Sequence, residues 1–221
     1  DELTQKGIYM EKYLTSGCDR IMMFGSIQKV MPANQNKYYS IQIIDKKCIL
    51  CGMHLPSRIY SDHQERRNIV IDRIVEDINE MKLKIENTII LGDVNENPYD
   101  VGCLNATKFH GISSGADAEK GSRTVMSKTF KMFYNPMWNL FGDFRYPPGT
   151  YYHNGSEPSN SFWNIYDQVM IRPSMRKWFV DNSLKILVKI QEYSLVDKFR
   201  HPRKDISDHL PIVFEIKEEN I

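Results

Sequence analysis

The feature that most constrains the fold is an apolar run, residues 87–91, that leads directly into Gly92-Asp-Val-Asn95. Apolar and β-branched residues bounded by polar ones are typical of a short buried strand. Because strand side chains alternate between faces, Asp93 and Asn95 are expected to project together from its end, where open α/β sheets hold ligands. Asp93 is able to take a proton or hold a metal, and Asn95 is able to donate hydrogen bonds to an oxyanion. Surface turns favour the same residues, so the motif alone leaves a turn and a site about equally favoured.

Three other strand-like segments carry a side chain of catalytic type near one end: His54, Asp167, and the pair Asp208 and His209. A carboxylate such as Asp167 within an apolar strand is costly to bury without a partner. Each residue alone is more often part of a core or a turn. Four such segments in one chain favour a shared site.

The order of these motifs resembles that of the endonuclease/exonuclease/phosphatase superfamily, which has the DNase I-like fold. Members carry a strand ending in His, a Gly-Asp-x-Asn strand end, often a Pro-x-Thr-Tyr segment, an Asp within a strand, and a final Ser-Asp-His. Here the matching positions, in chain order, are His54, Gly92–Asn95, residues 147–152, Asp167 and Ser207–His209. The resemblance covers roughly residues 54–214 and implies an α/β (α+β) four-layer sandwich, with two packed mixed β-sheets flanked by helices.

The resemblance also implies a role for each residue. Asp93 would position or deprotonate the attacking water, and Asn95 would hydrogen-bond the phosphate. His209 would contact the same phosphate while Asp167 orients its ring, which is common histidine–carboxylate chemistry. His54 would bind phosphate or protonate the leaving oxygen. Together these roles predict hydrolysis of a phosphate ester by water.

The cofactor that the resemblance implies is Mg²⁺, with Mn²⁺ as an alternative. Asp93 and Asp208 supply the hard oxygen ligands that these ions prefer. A metal-dependent phosphodiesterase of nuclease type is the favoured interpretation, with nucleic acid or a small phosphoester as the partner. Two alternatives stay open: a phosphomonoesterase acting on a small molecule or phosphoinositide, and a non-catalytic binding remnant of the fold.

The family's phosphate-contacting Asn and metal-binding Glu lie on two strands that precede all of these motifs. Here residues 3–16, close to the start of the sequence, are predicted to form a helix instead of a strand. Glu2 follows no apolar run, so it does not match the metal-binding Glu. We therefore expect residues 1–221 to form a single domain that is N-terminally incomplete.

Composition narrows the class of protein further. The net charge of +1 gives no support for tight non-specific DNA binding, and Arg66-Arg67 is expected on a solvated face. The sequence contains no apolar run of about 18 residues, so no membrane span is predicted. A monomer in the cytoplasm, with free thiols, is the simplest expectation. Cys48 and Cys51 should lie on opposite faces of a strand, which disfavours a metal or redox pair.

The remaining pattern predicts strands at 20–31, 37–45 and 47–55, a long amphipathic helix at 61–86 and a short helix at 98–106. Residues 107–160 are predicted to be mostly loop. Seven aromatic side chains in this segment and in the residues directly after it have two possible roles. They stack on a base or sugar of a substrate, or they pack the loop onto the core, which is the favoured interpretation. These are Trp138, Phe141, Tyr146, Tyr151, Tyr152, Phe162 and Trp163.

Overall fold

The computed structural model describes residues 7, 9–27, 29–58 and 63–217. Within them are three α-helices, α1 (His63–Asn79), α2 (Val101–Leu104) and α3 (Gly115–Ala118). Three 3₁₀ helices span Pro136–Leu140, Pro173–Trp178 and Asp181–Ser183. None of these helices is long and apolar enough to cross a membrane.

The strands of the described residues vary from two to seven residues in length. They are β1 (Glu11–Lys12), β2 (Phe24–Gly25), β3 (Val30–Asn36), β4 (Tyr39–Ile44), β5 (Cys48–His54), β6 (Asn87–Asp93), β7 (Gly111–Ile112), β8 (Ser122–Val125), β9 (Lys128–Lys131), β10 (Phe133–Tyr134), β11 (Tyr151–Tyr152), β12 (Trp163–Asn164), β13 (Asp167–Ile171), β14 (Lys185–Ile186), β15 (Lys189–Ile190), β16 (Tyr193–Ser194) and β17 (Ile212–Val213).

A seven-stranded mixed sheet, in the order β3-β4-β5-β6-β13-β10-β7, is the centre of the molecule. Strands β5 and β6 are parallel, and α1 connects them, as the predicted strand–helix–strand unit requires. Strand β13 pairs antiparallel with β6 on its other side. The predicted strands at 37–45 and 47–55 are confirmed as β4 and β5.

Each face of this sheet covers a separate hydrophobic core, because successive apolar side chains along a strand point to opposite faces of the sheet. One core contains Cys51 together with Ile71 and Ile74 of α1. The other contains Cys48 together with apolar side chains from two of the 3₁₀ helices and from strands β14 and β17. The two cysteines therefore do lie on opposite faces of β5. All four cysteines are buried free thiols, and burial raises the pKa of Cys48 to about 12.

The predicted helix at 61–86 is real but shorter, since α1 ends at Asn79 and residues 61–62 lie outside the described residues. Ile71 and Ile74 are fully buried on its inner face. Beyond the helix, Met81 and Ile85 still pack against the same core. Their apolar spacing reflects that contact and not a continued helix.

The predicted helix at 3–16 is wrong where the structure describes it; residues 1–6 and 8 lie outside the described residues. Glu11 and Lys12 form β1, which pairs antiparallel with β2. The side-chain amide of Gln42 also donates to the Leu14 carbonyl at 2.7 Å. Pairing with β2 and the contact between Leu14 and Gln42 override the weak helix signal of an acidic first turn. The predicted strand at 20–31 is reduced to β2 and the start of β3.

The layer opposite α1 is built from short pieces. The pair β14–β17 packs there with the 3₁₀ helices, while β11–β12, β15–β16 and β8–β9 form separate two-stranded ladders. Residues 107–160 are mostly loop, as predicted, but they also contribute β7 and β10 to the edge of the main sheet. The result is a mixed α/β architecture with few helices and one large central sheet, within the predicted fold class.

Candidate active site

Three adjacent strands of the main sheet place their polar ends side by side. In the parallel β5–β6 ladder His54 is the register partner of Asp93, and in the antiparallel β6–β13 ladder Asp93 is the partner of Asp167. Parallel β5 and β6 end at the same edge, while antiparallel β13 begins there. The sequence order of the motifs thus becomes a row of three side chains across the sheet.

The last residues of β6 lie very close to β5, and the chain turns directly after them. Gly92 has a φ of +133°, and a Cβ at this position would overlap the Met53 carbonyl oxygen. Asn95 follows with a φ of +54°, in the left-handed region that Asn tolerates better than most residues. The Gly and Asn of the motif therefore meet backbone requirements as well as any chemical ones.

Asn95 donates its hydrogen bonds to neighbouring protein groups, chiefly to the Asp93 carboxylate. Its backbone N–H donates to Asp93 Oδ1 at 2.8 Å, and its side-chain Nδ2 donates to Asp93 Oδ2 at 2.9 Å and to the Leu55 carbonyl at 3.0 Å. An amide nitrogen carries two hydrogens, so both are used. The predicted hydrogen bond from Asn95 to a phosphate has no free donor in this arrangement. Asn95 instead fixes the orientation of the Asp93 carboxylate.

The Asp93 carboxyl has the properties of a general base. Burial raises its pKa to about 7, and the nearby Asp167 adds to this shift, while the charge of His209 and the hydrogen bonds from Asn95 act against it. Its side chain is 15% exposed. A base with a pKa near the working pH is the most effective at taking a proton in a transition state.

His209 is held by Asp167. Its ring Nδ1 lies 2.7 Å from Asp167 Oδ2. Burial alone would lower the pKa of His209, but the hydrogen bond and negative charge of Asp167 dominate, helped by Asp93 and Asp208, and raise it to about 9. The imidazole is therefore a cation at neutral pH. With Nδ1 bound to Asp167, Nε2 is the nitrogen left to donate to a substrate oxygen.

Thr150 connects the chain segments that carry this pair, and sequence reasoning assigned it no role. Its side chain is fully buried, and Oγ1 accepts the backbone N–H groups of Tyr166 and Asp167, each at 3.1 Å. Its carbonyl accepts the N–H of Leu210, next to His209, at 2.8 Å. One residue thus fixes the backbone on both sides of the Asp167–His209 bond.

The segment around Thr150 also requires a close backbone approach. A Cβ on Gly149 would lie 2.5 Å from the carbonyl oxygen of Asn164. The following residue, Tyr151, forms an isolated bridge with His209, and their ring centroids are 4.8 Å apart. The available sequence signal was the Pro-x-Thr-Tyr segment, which supported the family resemblance without indicating this function.

His54 is a neutral partner of Asp93. Its Nε2 lies 3.6 Å from Asp93 Oδ2, and the imidazole is 44% exposed. Burial, Arg20 and His209 together lower the pKa of His54, and the charge of Asp167 opposes them less strongly. A neutral imidazole near pH 7 donates a hydrogen bond but is a poor acid. Of its two predicted roles, this favours phosphate binding over protonation of the leaving oxygen.

Asp208 lies next to His209 but on the exposed side of it, at the wall of an adjacent cavity. Asp93 and Asp208 are the two predicted metal ligands. Among residues 9–27, 29–58 and 63–217, no group of three or more His, Cys, Asp or Glu side chains is arranged to hold a metal ion. These described residues alone therefore do not form a complete metal centre.

A second finding that sequence reasoning missed is the buried support beneath the site. Glu96 is 2% exposed, and its carboxylate accepts from Arg67 Nε at 3.1 Å and from the Gly102 N–H at 2.7 Å. Its carbonyl accepts from the Gln168 amide at 2.5 Å. Arg67, predicted on a solvated face, is 3% exposed and also donates to the Pro56 and Ser57 carbonyls. The loops after β5 and β6 are thus fixed to each other and to α1.

The comparisons with known proteins give matches to solved structures. No family model and none of the curated proteins matches the chain. Solved structures do match. A 3′-5′ exonuclease from Neisseria meningitidis is 12% identical with a TM-score of 0.51, and the match covers 98% of this chain and 82% of that one. An AP endonuclease from Archaeoglobus fulgidus is 9% identical, with 97% and 91% covered and a TM-score of 0.46. The human Nocturnin catalytic domain is 12% identical, with 97% and 73% covered and a TM-score of 0.46.

The Neisseria match, together with the mixed central sheet, identifies the DNase I-like fold. The fold implied by the sequence motifs is therefore confirmed. An identity of 12% establishes a shared fold and leaves the chemistry to be argued from the site itself.

Proposed function

We propose that the protein is a phosphoester hydrolase whose active site is formed by His54, Asp93, Asp167 and His209. The observation that carries this proposal is the arrangement at the sheet edge, where the Asp167–His209 hydrogen bond of 2.7 Å stands beside the Asp93 carboxylate. One group suits proton abstraction and the other suits binding of an anion. A 3′-5′ exonuclease has the same fold, so the fold is compatible with this chemistry.

The geometry supports a simple division of labour. Water attacks phosphorus, and Asp93 takes its proton while Asn95 keeps the carboxylate oriented. The His209 cation donates from Nε2 to a non-bridging oxygen, and so compensates the charge that develops there. Asp167 keeps His209 charged and oriented. Neutral His54 donates a further hydrogen bond, and the leaving oxygen takes its proton from solvent.

Mg²⁺ dependence is part of the proposal. A divalent ion would neutralise phosphate charge, and the Asp93 and Asp208 carboxylates would contribute to holding it. The described residues do not complete such a centre, so no step above depends on it. Activity that is abolished by chelation and restored by Mg²⁺ or Mn²⁺ is the expected result. Activity that is unaffected by chelation would remove the ion from the account.

The favoured substrate is a phosphodiester, in nucleic acid or in a small molecule. The test is turnover of plasmid DNA, of bis-p-nitrophenyl phosphate and of a phosphomonoester panel by the full chain. Cleavage of the diesters above the monoesters supports a phosphodiesterase, and the reverse preference would make it a phosphatase. No turnover of any ester, with or without Mg²⁺, would leave a binding module and refute the proposal.

A further inference from the structure

The hairpin formed by β8 and β9 lies at the end of the main sheet opposite the active site. Strand β6 begins at Asn87 and ends at Asp93, so its two ends are about 20 Å apart at the usual rise of a strand. The hairpin is held near the Asn87 end, because Lys131 Nζ lies 3.5 Å from Glu86 Oε1. It is therefore remote from the groups to which the proposed function assigns roles.

Every charged residue of the hairpin is a cation. Residues 120–142 contain no Asp or Glu, and the hairpin carries Arg123, Lys128 and Lys131. Apart from the contact between Lys131 and Glu86, the structure gives these cations no carboxylate partner among the described residues. The hairpin thus presents uncompensated positive charge, which suits an anionic partner.

The two unpaired cations share one face of the hairpin with apolar side chains. In the ladder Arg123 is the register partner of Phe130, and Val125 is the partner of Lys128. Register partners and every second residue of a strand share a face, so these four side chains lie together and form the basic face. The Lys128 ammonium lies 5.4 Å from the centroid of the Phe130 ring. Cationic and apolar groups therefore alternate across the basic face.

The tip of the hairpin exposes a further apolar side chain. Met126 and Ser127 form the turn with φ of +48° and +65°, a conformation that favours Asn and Gly. Met126 is 96% exposed. The loop before β6, which the hairpin contacts, has the same character, since Leu83 is 43% exposed between the exposed Lys82 and Lys84. Turn geometry does not account for a methionine at the tip, whereas insertion into an apolar medium does.

We propose that the basic face and the tip of this hairpin bind the surface of an anionic lipid bilayer. Met126 inserts among the acyl chains while Arg123 and Lys128 lie at the level of the lipid phosphates, as in other segments that combine apolar and basic groups at a membrane interface. A nucleic acid fits less well, because Met126 and Val125 offer no flat ring on which a base stacks. The active site, at the other end of the sheet, then faces away from the bilayer. This inference does not depend on the proposed function.

The first test is co-sedimentation of the full chain with lipid vesicles. Phosphatidylcholine vesicles that contain about 30% phosphatidylserine should bind at least about tenfold more strongly than pure phosphatidylcholine vesicles, and added salt should weaken the binding. Equal binding to both vesicles, or binding to neither, would overturn the inference. Binding of a single-stranded oligonucleotide that Arg123→Glu abolishes, by a chain that ignores vesicles, would assign the face to nucleic acid and overturn it too.

The second test changes the hairpin. Arg123→Glu and Lys128→Glu should each lower the vesicle partition coefficient at least about fivefold, because each replaces a cation at the anionic surface. Met126→Ser should lower it about fivefold with the salt dependence unchanged, because it removes only apolar area. Thermal unfolding checks that each variant is folded. A partition coefficient that is unchanged in all three variants would overturn the inference.

Lys189→Glu is the matched control. Lys189 is an exposed cation on another hairpin, β15–β16, where it lies 3.5 Å from Glu192. That hairpin is near His209, because the N–H of Leu187, just before it, donates to the Pro211 carbonyl at 2.8 Å. This variant should keep the partition coefficient of the original protein. A loss as large as that of the β8–β9 variants would overturn the assignment to the basic face.

Discussion

The central sheet and the segments that cover its polar edge are built in different ways. Strands β5 and β6 pair over seven residues, and β6 and β13 over five. The segment around Thr150 instead meets the one around His209 through a single bridge and the hydrogen bond from the Leu210 N–H to the Thr150 carbonyl. The sheet thus supplies position through many redundant contacts, whereas His209 depends on very few. Changes in the two regions should therefore have different effects on stability and on catalysis.

The largest expected effect is on catalysis. His209→Ala removes the cation that we propose binds the phosphate, and Asp93→Ala removes the proposed base. Each should reduce hydrolysis at least about a hundredfold, since a positioned acid–base group contributes 10²–10⁴. Steady-state kinetics on bis-p-nitrophenyl phosphate measures this, with thermal unfolding as the check that the fold is intact. Near-normal turnover in both variants would show that the site lies elsewhere.

A change in the sheet's core should act on stability instead. Ile74 of α1 is fully buried against the sheet, and Ile74→Ala should cost about 2–5 kcal/mol of unfolding free energy. Chemical denaturation measures that cost. The kcat per folded molecule should stay close to the original value. A large fall in kcat at full folding would show that the core and the site are coupled more closely than the ladders suggest.

Thr150→Val should affect both properties, because it removes the acceptor of two buried N–H groups and leaves the side-chain shape unchanged. We expect a loss of about 1–3 kcal/mol of stability and about a tenfold fall in kcat, with KM less affected. Thr150→Ser keeps the oxygen and is the matched control, which should retain most of the activity. Equal behaviour of the Val and Ser variants would mean that Oγ1 does not position the pair.

The smallest effect is a pH dependence. Asp93 must lose its proton to act as a base, so kcat/KM should rise as the pH passes about 7. His209 must keep its proton, so kcat/KM should fall as the pH passes about 9. The result is a bell with its maximum near pH 8. Asp167→Asn, which removes the charge that raises the pKa of His209, should move the alkaline limb to lower pH. A profile that is flat from pH 6 to 10 would contradict these assignments.

The contrast between the central sheet and the segments that cover its edge also explains which parts of the site can be predicted from the sequence. Short apolar runs bounded by polar residues mark β5, β6 and β13, and the pairing of these strands then aligns the ends that carry His54, Asp93 and Asp167. The contact of Thr150 with residues near His209 depends on how long loops return to the sheet, and no local pattern encodes that. Asn95 shows a further limit, since the motif predicts the residue at the strand end but not that its N–H groups are bound to Asp93 and Leu55.

The most direct test of the account is a double-mutant cycle on Asp167 and His209, one on the sheet and the other on a loop. The measured quantity is kcat/KM for the original protein, Asp167→Asn, His209→Gln and the double variant. If the two residues act as one unit, the double variant should be about as active as the less active single variant. Independent losses that multiply in the double variant would contradict the account.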